Sequence, residues 1–261
     1  MSRTVMPQPS AIKLAQQIWY PLDAKPQVHA LYFQFKTQVL AENWPAALAS
    51  AQRLHVPDPR SNEFWYWKLA RLELFLFAGE PQKLQPELDL ILATHLKTSY
   101  SSNIRYSACL LKARGFAEGG DYQRALAWHQ RGHEAYWSRC GNGHEGERVE
   151  YTPVTAVWKA AALPDNKAFD ALQRIRQGKF PVYQTRLQPA EQSARWQRTR
   201  ARDEAGLALG SLYQRRGNVV EARRALEPVA QSHHDMLALL ARTHLRQLRI
   251  EALVKPLPRV L

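Results

Sequence analysis

Cysteine is scarce in this sequence: only Cys109 and Cys140 occur among 261 residues. Two cysteines cannot supply the disulfide framework that stabilises small secreted domains, so their number fits a protein of a reducing compartment. Long apolar runs are missing too, because no run approaches the roughly 20 residues that cross a bilayer. The first residues also lack the continuous apolar stretch of a signal peptide. We therefore expect a cytoplasmic protein with no membrane span.

The motifs of common enzyme classes are missing as well. The chain contains no GxSxG elbow, no glycine-rich phosphate loop followed by Lys-Ser or Lys-Thr, no HExxH and no CxxC. Each of those motifs fixes a nucleophile, a phosphate or a metal in the geometry that its chemistry needs. Their absence predicts a protein that is not an enzyme and that binds no cofactor.

What the sequence does have is helical periodicity. Apolar residues recur three and four positions apart, as at Ile12, Ala15 and Ile18, whereas alternating strand-like runs are scarce. The segments are about 12 to 16 residues long, and short breaks containing Gly, Asn, Asp or Pro group them into pairs. Hydrophobic residues make up 45% of the chain, which is enough to form a core. The pattern predicts an all-α fold of helical hairpins.

The clearest hairpin lies in residues 203–228. Its marker residues are Gly210 and Tyr213 in the first helix, Gly217 in the turn and Ala222 in the second helix. This arrangement resembles the tetratricopeptide repeat. In that family, small residues lie where two helices cross, because larger side chains would hold the backbones apart. A glycine permits the turn between them.

The same template fits several segments of the chain. It matches better in residues 104–137 and 203–234, and more loosely in residues 28–60, 65–97 and 151–180. The crossing residues lie 37, 41, 43 and 54 positions apart, wider than the roughly 34 of a regular repeat; they are Ala47, Leu84, Ala125, Ala168 and Ala222. Leu84 replaces a small residue, and polar residues replace apolar ones at Gln34, Arg71 and Lys112. The array is therefore degenerate, and a generic α-solenoid is the alternative.

The resemblance implies a single domain over residues 1–261, an α-solenoid of stacked antiparallel helix pairs. Helices near residues 10–19 and 235–254 would cap its N- and C-terminal ends. The first helix of each pair would line a concave groove, which implies a non-catalytic adaptor or scaffold that binds a protein or peptide partner. Two insertions, residues 138–153 and 178–192, are predicted as loops that are either functional or disordered.

The register of the resemblance also selects groove-facing residues. They are Tyr32, Lys36, Tyr66, Leu69, Glu73, Leu110, Arg114, Leu207, Ser211 and Gln214. Family members that hold the acidic tails of heat-shock chaperones carry lysine and asparagine on the inner helices. This chain has apolar or aromatic residues at the matching positions, so we do not expect that partner class. The run of residues 64–77 has a second interpretation, burial between repeats, because it is apolar all round.

Positive charge is concentrated in one part of the chain. The formal net charge is +13, and residues 174–224 contain twelve basic and four acidic residues. Because guanidinium groups pair with carboxylates, we expect an acidic or helical protein partner. The candidate contacts are Arg195, Arg198, Arg200, Arg202, Arg215 and Arg216. Two alternatives stay open: binding of RNA or single-stranded nucleic acid with Trp196 as a stacking ring, and an ordinary solvated helix surface.

One set of residues has the composition of a zinc site. His129 and His133 are four positions apart on one helix face, and a returning loop could add Cys140 and His144. Against this, His129 falls at a packing position of its repeat, and no second pair of ligands accompanies the set. We therefore predict no metal and interpret His129 as a core residue.

Overall fold

The computed structural model describes residues 26–54, 62–94, 101–140, 145–184 and 190–254. Within these ranges all regular structure is helical and no strand occurs, which confirms the all-α prediction. The helix predicted near residues 10–19 lies outside the described residues. The eleven α-helices are α1 (Pro26–Leu40), α2 (Trp44–Arg53), α3 (Asn62–Phe77), α4 (Leu84–Ala93), α5 (Ser101–Glu118), α6 (Tyr122–Cys140), α7 (Glu145–Ala161), α8 (Asp165–Arg176), α9 (Ala190–Arg215), α10 (Val219–Ala230) and α11 (Asp235–Val254).

The chain forms two compact units. The N-terminal unit comprises residues 1–115 and 128–138, and the C-terminal unit comprises residues 116–127 and 139–261. The boundary therefore passes through α5 and α6. The single-domain organisation stays a prediction.

Three of the turns between helices have the same backbone. In each, a residue with positive φ (54°, 82° or 70°) ends the first helix, and the next residue caps the second helix with its side-chain oxygen. The oxygen accepts from the N–H three positions on, which satisfies one of the free donors at a helix start. The residue pairs are Glu42-Asn43, Gly120-Asp121 and Gly217-Asn218.

The predicted crossing residues are all fully buried. Each of the five has 0% relative exposure; they are Ala47, Leu84, Ala125, Ala168 and Ala222. Each of the four alanines donates its N–H to the carbonyl of the residue four positions earlier, at the start of its helix. The repeat template needs small buried residues at these positions, because close approach of two helices requires a small side chain at the point of contact.

Leu84 is the large crossing residue, and a glycine makes room for it. A Cβ atom placed on Gly115 of α5 would lie 3.1 Å from Leu84 Cδ1 and 3.0 Å from Gln85 Nε2. The missing side chain on α5 therefore compensates for the leucine on α4.

The core of the N-terminal unit is rich in aromatic rings. Trp67 meets Phe35 edge-on with ring centroids 5.1 Å apart, and Trp44 lies 5.1 Å from Phe77. Most of the run 64–77 is buried, including Phe77, whose exposure is 0%. Burial, the second interpretation of this run, therefore describes most of its side chains.

Ion pairs occupy two positions where the repeat template has apolar residues. Arg71 on α3 bonds Glu87 on α4 at 2.9 Å. Lys112 on α5 pairs with Asp89 on α4, and its Nζ lies 4.2 Å from the centre of the Trp128 ring. Charge pairing thus links α4 to the helix on either side of it in sequence.

In the C-terminal unit, α9 packs against α7, α8, α10 and α11. Its two glycines lie at the contact with α10. A Cβ atom on Gly206 would come within 2.6 Å of Val229 Cγ2, and one on Gly210 would overlap the Leu226 side chain. Such separations are below van der Waals contact, so a larger residue at either position would force the Val229 or Leu226 side chain to move.

The loop predicted at residues 138–153 is wrong over most of its length. Helix α6 continues to Cys140, and α7 begins at Glu145 and contains Pro153. Its glycine content, its charge and its lack of helical period suggested a loop. Only residues 141–144 of the predicted loop lie outside the described residues.

Candidate partner-binding site

The groove residues predicted in the N-terminal unit are mostly covered. Glu73 and Arg114 are buried, with 5% and 6% relative exposure. Leu69 is buried as well, whereas Lys36 and Leu110 are half-buried. Tyr32 and Tyr66 lie on α1 and α3, but their side chains fall outside the described part. Glu73 and Arg114 are covered, so among the described charged side chains of this set it is Lys36 that can contact a partner without movement of its neighbours.

In the C-terminal unit, the predicted groove residues bond to other parts of the chain. Leu207 and Ser211 are buried, and Ser211 Oγ accepts from Arg215 Nη1 at 3.0 Å. Gln214 Oε1 lies 3.1 Å from His244 Nδ1. His244 Nε2 in turn lies 2.9 Å from Glu118 Oε2. The His244 ring thus joins Gln214 on α9 to Glu118 on α5.

Three of the predicted arginine contacts serve the fold itself. Arg200 bonds the fully buried Glu204 at 2.9 Å. Arg216 bonds Asp165 of α8 at 2.9 Å and lies over the Phe169 ring. The third is Arg215, which bonds Ser211. Its guanidinium group also lies so close to Gly120 that a Cβ atom there would overlap it. These three arginines neutralise or cover neighbouring groups.

The other three form what we call the arginine stripe: Arg195, Arg198 and Arg202. They are exposed and stand at positions i, i+3 and i+7 of α9, which places them on one side of the helix. Arg202 Nε lies 3.4 Å from Asp203, yet its side chain is 58% exposed. Within the described residues, Arg195 and Arg198 have no side-chain hydrogen bond or ion pair. Their guanidinium groups are open to a partner.

Trp196 does not belong to this stripe. Consecutive helical residues are about 100° apart around the axis, so the indole leaves the helix well away from the three arginines. The ring is half-buried and meets His234 edge-on, with centroids 5.6 Å apart. Burial lowers the pKa of His234, and Arg200 lowers it further. Trp196 thus packs against a histidine that favours its neutral form.

The side of α9 away from the stripe is anchored. Gln197 is fully buried, accepts from the Tyr183 N–H and donates to the Tyr183 carbonyl, both at 2.8 Å. These two bonds hold the extended residues 181–184 against the helix, in the first part of the predicted 178–192 loop. The stripe is carried by a helix whose opposite side is fixed by packing and hydrogen bonds.

Of the four candidate zinc residues, the structure describes the side chains of two, His129 and His133. The His129 and His133 rings touch, with centroids 4.7 Å apart, and the Tyr106 hydroxyl bonds His133 at 3.3 Å. Burial lowers the pKa of His133 to about 4. The Cys140 side chain and His144 lie outside the described residues. In the part of the chain that is described, no group of three or more His, Cys, Asp or Glu residues could hold a metal ion.

Comparison with other proteins adds no relative. The chain matches no protein-family model, and neither the curated proteins nor the solved structures give a significant match. Among the described helices, none is long and apolar enough to cross a membrane.

Proposed function

We propose that the protein is a non-catalytic adaptor or scaffold, built as a tetratricopeptide-like solenoid of antiparallel helix pairs, that binds a protein or peptide partner in its concave groove. One observation carries the proposal: the same local unit recurs along the chain. In four copies, an alanine without exposed surface lies four residues after the residue at the N-cap of its helix.

The hydrogen bonds of the turns support this repetition. In five turns, one N–H bonds the carbonyl three residues earlier and the next N–H bonds the carbonyl five residues earlier. This is the Schellman pattern at the end of a helix. The residues that donate are Glu42 and Asn43, Gly79 and Glu80, Gly120 and Asp121, Gly178 and Lys179, and Gly217 and Asn218. Recurrence of one supersecondary unit is what a stacked helical array requires.

The buried polar groups support a non-catalytic role. Glu204 forms an ion pair with Arg200, and Lys112 forms one with Asp89. The carboxylate of Asp203 accepts from Ser232, whose Oγ also accepts the His234 N–H close to the start of α11. Arg200 and Glu204 pair within α9, whereas the other groups join separate segments of the chain or cap the start of α11. A catalytic group must instead reach a substrate.

The nucleic-acid alternative has weaker support. The positive field of residues 174–224 would attract phosphate as well as carboxylate. Binding of single strands by stacking, however, needs an aromatic face beside the cations. Trp196, the ring that the sequence offers for this purpose, packs on His234 instead. Protein binding is therefore the function that we propose.

The proposal is tested by capturing partners on the tagged full-length chain from extracts of its own organism. Extracts are used with and without nuclease, and an amine-reactive cross-linker maps contacts to Lys36. We expect a small set of proteins to be enriched regardless of nuclease, with cross-links to Lys36. Lys36→Glu should lower their recovery at least fivefold. The matched reversal Lys159→Glu, on an exposed site of α7, should not.

Two results would count against the adaptor. Recovery that disappears with nuclease would favour the nucleic-acid alternative. Equal losses for the two lysine variants would show that the binding depends on net charge and not on the predicted groove.

A further inference from the structure

We infer that the arginine stripe of α9 is a docking surface for an acidic α-helical segment of a partner protein. The inference rests on the proposed binding function and deepens it, because it names the chemistry of the partner. It depends on arginines of α9, whereas the capture experiment depends on Lys36 of α1, so the two proposals can fail independently.

The spacing of the stripe fits a second helix. Arg195 and Arg202 are seven residues apart, which is about 10 Å along α9 at 1.5 Å per residue. An acidic helix with carboxylates at i, i+3 or i+4, and i+7 repeats with the same rise. Laid alongside α9, it can present one carboxylate to each of the three guanidinium groups. Each pair can then be bidentate, which is the strong form of this interaction.

The surrounding charge favours such a partner. Residues 174–224 have a net charge of +8, from twelve basic and four acidic residues. The acidic residue on the side of the stripe is Glu191, one turn before Arg195, at the very start of α9. Farther along the same side, Gly206 and Leu209 are buried, so the exposed stripe ends there. The stripe is therefore a short cationic surface that ends at Glu191 on one side and at the buried residues Gly206 and Leu209 on the other.

The stripe is also rigid in its backbone. Gln197 ties the helix to residues 181–184, and Ala201 and Glu204 are buried on the covered side. Only the three arginine side chains lose conformational freedom when a partner binds. Preorganisation of this kind lowers the entropic cost of association.

The same geometry argues against nucleic acid as the occupant. Three cations over about 10 Å are few beside the six to ten phosphate contacts of strongly salt-dependent DNA binders. No aromatic ring stands on the stripe, because Trp196 leaves the helix on another side. The described residues of the stripe and its flanks offer no large exposed apolar side chain either. Binding should therefore be electrostatic and sensitive to salt.

The test uses the full chain and a fluorescein-labelled, alanine-based helical peptide with glutamates at i, i+4, i+7 and i+11 on one face. A peptide of identical composition with the glutamates spread around the helix is the control, and single-stranded oligo-uridine is the third ligand. Anisotropy is measured at low and at physiological salt.

The variant of the stripe is R195E/R198E/R202E, with R195Q/R198Q/R202Q as a milder version. R174E/R223E/R249E removes the same charge from three other exposed helix sites.

We expect the one-faced peptide to bind more tightly than the spread peptide, and the stripe variants to weaken its binding about tenfold or more. The control triple should weaken binding less than threefold. Circular dichroism checks that each variant keeps its helix content.

Three results would overturn the inference: no binding of the one-faced peptide, equal losses in the stripe and control triples, or tighter binding of oligo-uridine that the stripe variants abolish. None of these would refute capture of a protein partner through Lys36. Conversely, failure of that capture would leave a specific effect of the stripe variants intact.

Discussion

At the residue scale, the absence of a side chain is the decisive feature of the α9–α10 contact. Gly210 faces Leu226 so closely that even a Cβ atom would overlap it. Gly210→Leu should lower the free energy of unfolding by about 1–3 kcal/mol through overpacking. Urea denaturation followed by circular dichroism measures this. The control Ala190→Leu, at an exposed position of the same helix, should change stability by less than about 0.5 kcal/mol. An unchanged midpoint for Gly210→Leu would contradict the observed crossing.

His133 should make stability depend on pH. Its pKa is about 4 in the folded chain because it is buried, against about 6.5 in the unfolded chain. Above pH 6.5 the ring is neutral in both states. As pH falls from 6.5 towards 4, the unfolded state gains the proton first, so stability decreases by about 1.4 kcal/mol per pH unit.

His133→Gln replaces the titratable imidazole ring with an amide that cannot take up a proton in this pH range but can still bond the Tyr106 hydroxyl. We therefore expect the variant to lose less stability than the wild type between pH 7 and pH 5, by about 1–2 kcal/mol. Urea denaturation at the two pH values gives the difference. Parallel losses in both proteins would show that His133 is accessible to protons in the folded state.

Single residues were also the scale at which sequence reasoning did best. The repeat template selected five positions as crossing residues, and all five are fully buried. Their place at helix crossings stays a prediction. The role of Gly115 did not follow, because the space that it leaves is filled by Leu84 on another helix. The repeat template assigns a residue type to each position separately. It therefore does not predict that a glycine on one helix makes room for a leucine on another.

At the element scale, ion pairs replace apolar contacts around α4. Lys112 is 5% exposed, whereas its partner Asp89 is 61% exposed, so solvent screens one end of the pair. Asp89→Ala should cost about 1–2 kcal/mol, since it leaves a buried ammonium group without its carboxylate. Lys112→Met should change stability by less than about 1 kcal/mol, because methionine keeps an apolar stem against Trp128.

A double-mutant cycle of these two changes, measured by chemical denaturation, isolates the coupling. We expect Asp89→Ala to have almost no effect in the Lys112→Met background. If the cost of Asp89→Ala were the same in both backgrounds, the pair would not stabilise the α4–α5 contact.

The elements themselves were only partly predictable. Turns with Gly-Asp or Gly-Asn were placed correctly, because a left-handed residue followed by a capping side chain is a local signal. The loop prediction at 138–153 was wrong, because glycine content, charge and the lack of a helical period pointed to a loop where most residues are helical. Helix propensity is a weak guide where packing decides.

At the scale of the whole molecule, sequence patterns identified the candidate arginines but could not sort them. Arg216 is held by Asp165, 51 residues away, and His244 meets Glu118 across 126 residues. Charge patterning within one helix contains no information about such contacts. Only the folded chain separates the arginines that support the structure from the exposed stripe.

The measurement that most directly tests the central claim, a stack of repeated hairpins, is small-angle X-ray scattering of the full chain in solution. A compact globule of 261 residues has a radius of gyration of about 18 Å. A solenoid predicts a value above roughly 21 Å, with a pair-distance distribution that is skewed towards long distances. A radius near 18 Å with a symmetric distribution would contradict the solenoid, and with it the groove in which we place the partner.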